Sequence, residues 1–303
     1  MRKLQVIVAL LVLVAGGCGA AEKSVSRGRV KEIGAGFQFT EGPVWHPDGV
    51  LLFTDIPANT IYRLAPWDDE PVVYRRPSGH ANGLAFDAQG QLVACEHGNR
   101  RVSTTGRSGP ETLVDSYRGK RLNSPNDLVI RSDGSIYFTD PPYGVSEEER
   151  ELDFQGVYRI APDGDELSLL SKNFARPNGI VLSPDESSLY VADTGKNRVR
   201  AFDVQPDGGI SNGRLFARAK NLHPDGMAMD VKGNLYVAGG GGVHVFGPGG
   251  DHLEEIETNL QPTNVAFGGA DRRVLYVTAR SELYKVPVTN RGASLQYRMK
   301  QAE

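Results

Sequence analysis

The stretch Arg121–Gly144, RLNSPNDLVIRSDGSIYFTDPPYG, decides the fold. A Pro-Asn-Asp corner leads into an apolar strand, the turn at Asp133-Gly134 reverses the chain, and a second strand, IYFTD, follows. The same order returns in RPNGIVLSPDESSLYVADTG from Arg176 and in HPDGMAMDVKGNLYVAGGG from His223. Each copy places a polar side chain directly before Gly, or before a residue standing in for Gly. The chain is built by repetition.

Alignment of the chain with itself extends the pattern to six corners. They are TEGPVW at Thr40, ANGLAF at Ala81, PNDLVI at Pro125, PNGIVL at Pro177, PDGMAM at Pro224 and PTNVAF at Pro262. Their spacing of roughly 40–50 residues is the period of a propeller blade. A second strand follows each corner (LLFTD, LVACE, IYFTD, LYVAD, LYVAG, LYVTA), and third strands such as IYRLAP and VYRIAP come next. Strand groups that bury only part of their surface must pack on neighbours, and a closed ring leaves no face open. The expected fold is all-β, a six-bladed β-propeller. The last blade, ending near ELYKVPV, lacks a fourth strand, so the N-terminal segment Arg29–Gly34 is expected to supply it and close the ring. No stretch of the propeller has a sustained helical period. The longest insertion, PPYGVSEEERELDFQG after Asp140, reads as a solvated loop or as a lid over the functional face.

Composition agrees. The 303 residues include 36 Gly and 18 Pro, suited to many tight turns, and the net charge of −3 gives no sign of a nucleic-acid partner. Residues 1–20 read as a signal peptide: basic Arg2 and Lys3, then an apolar run from Leu4 to Val14 too short to span a bilayer. Ala15, Gly16 and Gly17 before Cys18 resemble a lipoprotein signal that would make Cys18 the lipidated mature N-terminus, with cleavage near Ala20 or Ala21 as the alternative. The expected location is the bacterial cell envelope, periplasmic or lipid-anchored, with membrane contact only through that anchor. The propeller is expected over 29–290 and a polar tail over 291–303. With Cys18 lipidated or removed, Cys95 stands alone as a buried strand residue, and no disulfide forms within the mature chain.

The innermost strand of each blade starts near the axis, so equivalent corner residues converge there. These are Glu41, Asn82, Asn126, Asn178, Asp225 and Thr263. Any single Asn before Gly is commonly a turn residue. Two carboxylates aimed at one small volume repel, however, unless one is protonated or a cation joins them. A divalent ion resolves the conflict, with amide oxygens completing the shell. All-oxygen ligation suits Ca²⁺ best, ahead of Mg²⁺ or Mn²⁺, and the lack of a His at the repeated position disfavours Zn²⁺.

The corners TEGPVW, SPNDL, RPNGI and HPDGM, with ACEHGNRRV and IYFTDPPYG, resemble the gluconolactonase/regucalcin (SMP-30/gluconolactonase/LRE-like) family over nearly the whole chain after residue 20. The resemblance implies a six-bladed propeller with an axial divalent metal, often calcium, and a sugar lactonase or related esterase activity. It makes Glu41, Asn178 and Asp225 metal ligands, with Asn126 completing the shell or holding substrate. The animal members carry an Arg two residues before this Asn; here that residue is Ser124, as in the bacterial gluconolactonase-like branch.

The expected reaction is metal-assisted hydrolysis of a gluconolactone-type aldonolactone to its open acid. The metal polarises the carbonyl, and water attacks with Asp225 as general base, or as hydroxide on the metal with Asp225 only orienting it. Asn82, Asn123, His97 and Tyr143 are the residues expected to grip substrate; His223 also lies near a corner. Rival functions are an arylesterase or organophosphate hydrolase on the same metal, and a non-catalytic ligand-binding propeller of the cell envelope. A serine nucleophile is disfavoured by the absence of a G-x-S-x-G elbow, and a nucleotide site by the absence of a helix after the Gly-rich AGGGGVHVFGPGG.

Overall fold

The computed structural model describes residues 24–46, 48–106 and 108–293. The signal segment with Cys18, and the tail from 294 onward, lie outside the described residues. Among the described residues the regular structure is all strand, apart from one 3₁₀ turn at Thr194–Lys196. No helix among the described residues is long and apolar enough to cross a membrane.

Four antiparallel sheets follow the chain strand by strand, each a four-stranded meander. They begin at Ala81–Phe86, Leu128–Ile130, Pro177–Leu182 and Met227–Met229, and end at Gly109–Val114, Leu167–Ser171, Ile210–Ala217 and His252–Glu257. A fifth sheet has six strands, in the order Asn264–Gly268, Val274–Pro287, Lys31–His46, Val50–Asp55, Thr60–Leu64 and Val72–Arg75. A short ribbon pairs Ser116–Tyr117 with Lys120–Arg121. The arrangement is propeller-like: the first strand of each repeat packs on that of the next, and Asn264–Gly268 returns to Lys31–His46.

Six sheets were expected, and five of four or more strands are present. The reason lies in one strand. The first part of Lys31–His46 pairs with the last repeat (Lys31 opposite Lys285, Ala35 opposite Glu282), and its second part pairs with the first (Thr40 opposite Asp55, His46 opposite Val50). Both parts belong to one hydrogen-bonded strand, so the sheets at the start and end of the chain are joined.

Burial explains the apolar second strands. Both faces of Ile136–Asp140 are covered, so all five residues are buried instead of alternating. Apolar clusters fill the spaces between neighbouring repeats. Val93, Cys95 and Val102 pack on Leu128, Phe138 and Tyr158, while Leu51 and Phe53 meet Leu283 across the joined sheet. The Cys95 thiol is fully buried and its pKa pushed up, first by burial and then by Asp127, Asp140 and Glu96, so it packs as a small apolar group.

A recurring carboxylate fixes how three of the six corners are entered. Asp140, at the end of its second strand, accepts from the N–H groups of Asn123 (2.8 Å) and Ser124 (2.7 Å). Asp55 does the same for Gln38 and Phe39, and Asp193 for Ala175 and Arg176. Entering segments have no strand partner for these donors, so the acid satisfies them. At the other end of the chain, residues 291–293 are tied down: Ala293 N–H donates to Met229 O (2.8 Å) and Gly292 N–H to Arg272 O (2.9 Å).

Candidate active site

The corner residues meet at the centre of the ring. Glu41, Asn82, Asn126 and Asn178 are buried, and Asp225 is partly accessible. Their amides form a chain: Asn82 Nδ2 donates to Asn126 Oδ1 (2.8 Å), and Asn126 Nδ2 to Asn178 Oδ1 (2.6 Å). Asn178 Nδ2 lies 3.2 Å from Thr194 Oγ1 and 3.4 Å from the Tyr143 hydroxyl. Glu41 Oε2 accepts from Gly42 N–H (2.9 Å) and Asn264 Nδ2 (3.0 Å). Thr263, the sixth corner residue, is spent on the ring itself, its hydroxyl donating to Thr40 O at 2.7 Å.

Two axial groups were not anticipated. Asp127 and Asn264 occupy the position that is Gly in the other four corners, and both reach the axis. They fit because their neighbours lack side chains: a Cβ on Gly83 would lie 2.6 Å from Asp127 Oδ1, and one on Gly226 would lie 1.9 Å from Asn264 Oδ1. The signal was visible in PNDLVI and PTNVAF, where a polar residue replaces the corner glycine. Thr194 was also missed; its hydroxyl links Asn178 to Pro224 O (2.6 Å), and nothing in the corner pattern marks it.

The electrostatics follow from burial. The Glu41 carboxyl is pushed up to about 7 by burial, against the opposing bonds from Gly42 and Asn264. Asp127 is raised to about 7 by burial and then by the charge of Glu41. Burial, Glu41 and Asp127 together hold Asp225 well above the usual carboxylate range. Burial and mutual repulsion thus favour the protonated forms of these three acids.

The substrate-binding residues expected from sequence divide into two groups. His97 is buried with Nε2 3.2 Å from Asn126 Oδ1, and burial lowers its pKa to about 4, leaving it neutral at ordinary pH. Tyr143 and Asn82 also face this centre, and Asn82 Oδ1 is a buried acceptor with no partner among the described residues. Asn123 is differently placed: its amide nitrogen donates to Asp140 O and Phe154 O, both at 3.0 Å, so its donors are structural. His223 is exposed, with its backbone N–H on Asn197 Oδ1.

The insertion after Asp140 seats against this group. Gly144 N–H donates to Ser124 Oγ (3.0 Å), and a Cβ there would come 2.9 Å from His97 Cβ. Buried Arg100 fastens it, with Nε on Leu122 O (2.8 Å) and Nη1 on Glu149 O (3.1 Å).

The donor set fits a hard divalent cation. Mutually repelling carboxylates, with an unpartnered amide oxygen at Asn82, provide oxygen ligands, while the His97 ring nitrogen is engaged by amides. Among the described residues no three His, Cys, Asp or Glu side chains are grouped to hold an ion by themselves, so amide oxygens are needed. Asn126 Oδ1 already accepts from Asn82 and His97, which leaves Asn82 Oδ1 as the freer amide oxygen.

Comparison with known proteins adds the lineage. A gluconolactonase of Zymomonas mobilis is 33% identical over 291 residues, covering 85% of this chain and 80% of that protein. The solved structure of XC5397 from Xanthomonas campestris, described as a gluconolactonase, superposes with a TM-score of 0.80 at 35% identity, covering 86% and 89% of the two chains. Another structure, solved as a gluconolactonase candidate, gives a TM-score of 0.82 at 34% identity over 88% of this chain and 94% of the other. Residues 39–281 match the SMP-30/Gluconolactonase/LRE-like region, and the chain belongs to that family.

Proposed function

We propose that this protein hydrolyses a gluconolactone-type sugar lactone to its open aldonic acid at the axial site, with a divalent cation, Ca²⁺ foremost. That the chain is a lactone hydrolase follows from its relatives, named for gluconolactone and other lactone hydrolysis. The observation that carries the site assignment is the amide chain Asn82–Asn126–Asn178 across the axis, with the unpartnered Asn82 Oδ1 at its end and the repelling carboxylates of Glu41 and Asp225 nearby. Glu41, Asn178 and Asp225 would hold the ion, with the unpartnered Asn82 Oδ1 available to join them and Asn126 bracing the set. A bound divalent ion supplies Lewis acidity toward the lactone carbonyl and balances the acids.

The protein's own groups do the rest. Asp225, the partly accessible acid, takes a proton from the attacking water as the new C–O bond forms. The ring C–O bond then breaks, and the proton passes to the departing alkoxide. Asn82, His97 and Tyr143 orient the sugar hydroxyls, and the insertion packed on His97 excludes bulk water. In the same proposal the joined sheet counts as two blades, giving six, with Lys31–Ala35 completing the last one. The propeller domain is then 29–290, carried to the bacterial envelope by the segment ending near Cys18.

Proton release from glucono-1,5-lactone by the purified protein tests this, with spontaneous hydrolysis subtracted. Turnover is expected to vanish on exhaustive chelation and to return with one of Ca²⁺, Mg²⁺, Mn²⁺ or Zn²⁺. Turnover that survives chelation removes the metal from the mechanism, and none with any ion removes this lactone as substrate.

A further inference from the structure

Arg176 precedes Asn178 by two residues, and its guanidinium lies 5.6 Å from the centre of the Tyr143 ring. The backbone there is fixed: Arg176 N–H donates to Asp193 Oδ1 (3.2 Å), and its carbonyl accepts from Thr194 N–H (3.0 Å). Thr194, beside Asn178, opens the turn Thr194–Lys196. The two segments that frame this edge of the site therefore continue outward together.

Where they continue, they border a groove of about 620 Å³ whose charged lining is entirely basic: Lys172, Lys196, Arg198, Arg200 and Arg214. Two of these charges are answered, Arg198 by Asp193 (3.2 Å) and Arg214 by Asp203. Arg200 is held over the rings of Phe174 (5.1 Å) and Phe202 (4.6 Å). Lys172 and Lys196 are exposed and have no ion pair among the described residues, and neither does Arg176. Unanswered cations lined up from the Asn178 edge raise the local concentration of anions. Ala175, next to Arg176, and Lys196, two residues from Thr194, both line the groove, so its inner end adjoins the Asn178 edge of the site.

We infer that this groove receives an anionic arm of the substrate, so that the preferred lactone carries a second acidic group. This rests on the lactonase function proposed above and names its substrate class. Arg176 and Lys196 bind the arm, and Lys172 adds charge further out.

The test compares D-glucaro-1,4-lactone, which bears a free carboxylate, with neutral D-glucono-1,4-lactone on the full chain at low and high salt. The ratio of kcat/KM for the acidic over the neutral lactone is expected to be about tenfold at ~20 mM salt and to collapse toward one at ~300 mM, where charges are screened. Arg176→Ala and Lys172→Glu/Lys196→Glu should each lower that ratio several-fold, mainly through KM for the acidic lactone. Equal kcat/KM for both lactones, or variants that leave the ratio unmoved, overturn the inference while the lactonase assignment stands. If neither lactone is turned over, that assignment fails, and titration calorimetry with glucarate decides the groove. Binding weakened about tenfold in the charge-reversed variant supports it, and no binding or equal binding overturns it.

Discussion

In the proposed mechanism Asp225 meets two demands that conflict without an ion: it would have to be ionised to take a proton, yet burial and two neighbouring acids favour its protonated form. Asp225→Asn removes the base and one of three competing charges in a single isosteric change. We expect kcat to fall by about 10²–10⁴-fold, with the melting temperature of the ion-free protein unchanged or higher. Proton-release assays and thermal melts under chelation read the two effects. Retained turnover would remove Asp225 from its role. At this scale the sequence was partly legible. Glu41, Asn82, Asn126, Asn178 and Asp225 could be found because they recur at one position of a repeat. Asp127 and Asn264 escaped because their position is occupied by glycine for backbone reasons elsewhere, and only the packing of Gly83 and Gly226 reveals the vacated space they fill. Asn123 looked available because sequence cannot show that its amide hydrogens are already donated to Asp140 and Phe154.

The strand-end carboxylates and the long first strand are the elements that hold these residues in place. Asp140 satisfies two buried N–H groups just before Asn126. Asp140→Ala strands both donors, at about 1–3 kcal/mol each, and should lower the melting temperature by several degrees while also reducing turnover through displaced Asn126. An unchanged melt would show that water replaces the carboxylate. A second prediction concerns Lys31–Ala35. Removing residues 24–36 would leave the edge at Glu282–Lys285 unpaired and expose Leu283, which is fully buried beside Ile33 and Phe37. Compared with a chain starting at residue 24, the shortened protein should melt far lower or aggregate, measured by light scattering and circular dichroism. Equal melting would mean that this pairing adds nothing to closure. The pairing was legible as a missing fourth strand. The joining of two sheets was not, because corner spacing says where repeats begin and is blind to a strand that continues from one repeat into the next.

At the scale of the whole molecule, ring closure forces charge inward, and stability should carry the record. Glu41, Asp127 and Asp140 have pKa values raised to about 7 from ordinary values near 4, in each case chiefly by burial. Their folded-state pKa exceeds the unfolded one, so between about pH 4 and 7 the native state binds more protons than the unfolded chain. Stability from these groups is therefore fully present below about pH 4 and lost as pH rises through about 7. The divalent ion proposed above would reverse the balance for Glu41 and its axial neighbours, because it would bind their ionised forms and stabilise only the folded ring. Melting temperatures of the chelated protein should fall from about pH 5 to about pH 8, and added Ca²⁺ should raise them most at the alkaline end. Glu41→Gln should flatten the chelated curve and shrink the Ca²⁺ increment together, since one carboxylate produces both. Curves that coincide with and without the ion at every pH would show that the axial acids hold no cation, and that the ring bears their repulsion by keeping them protonated.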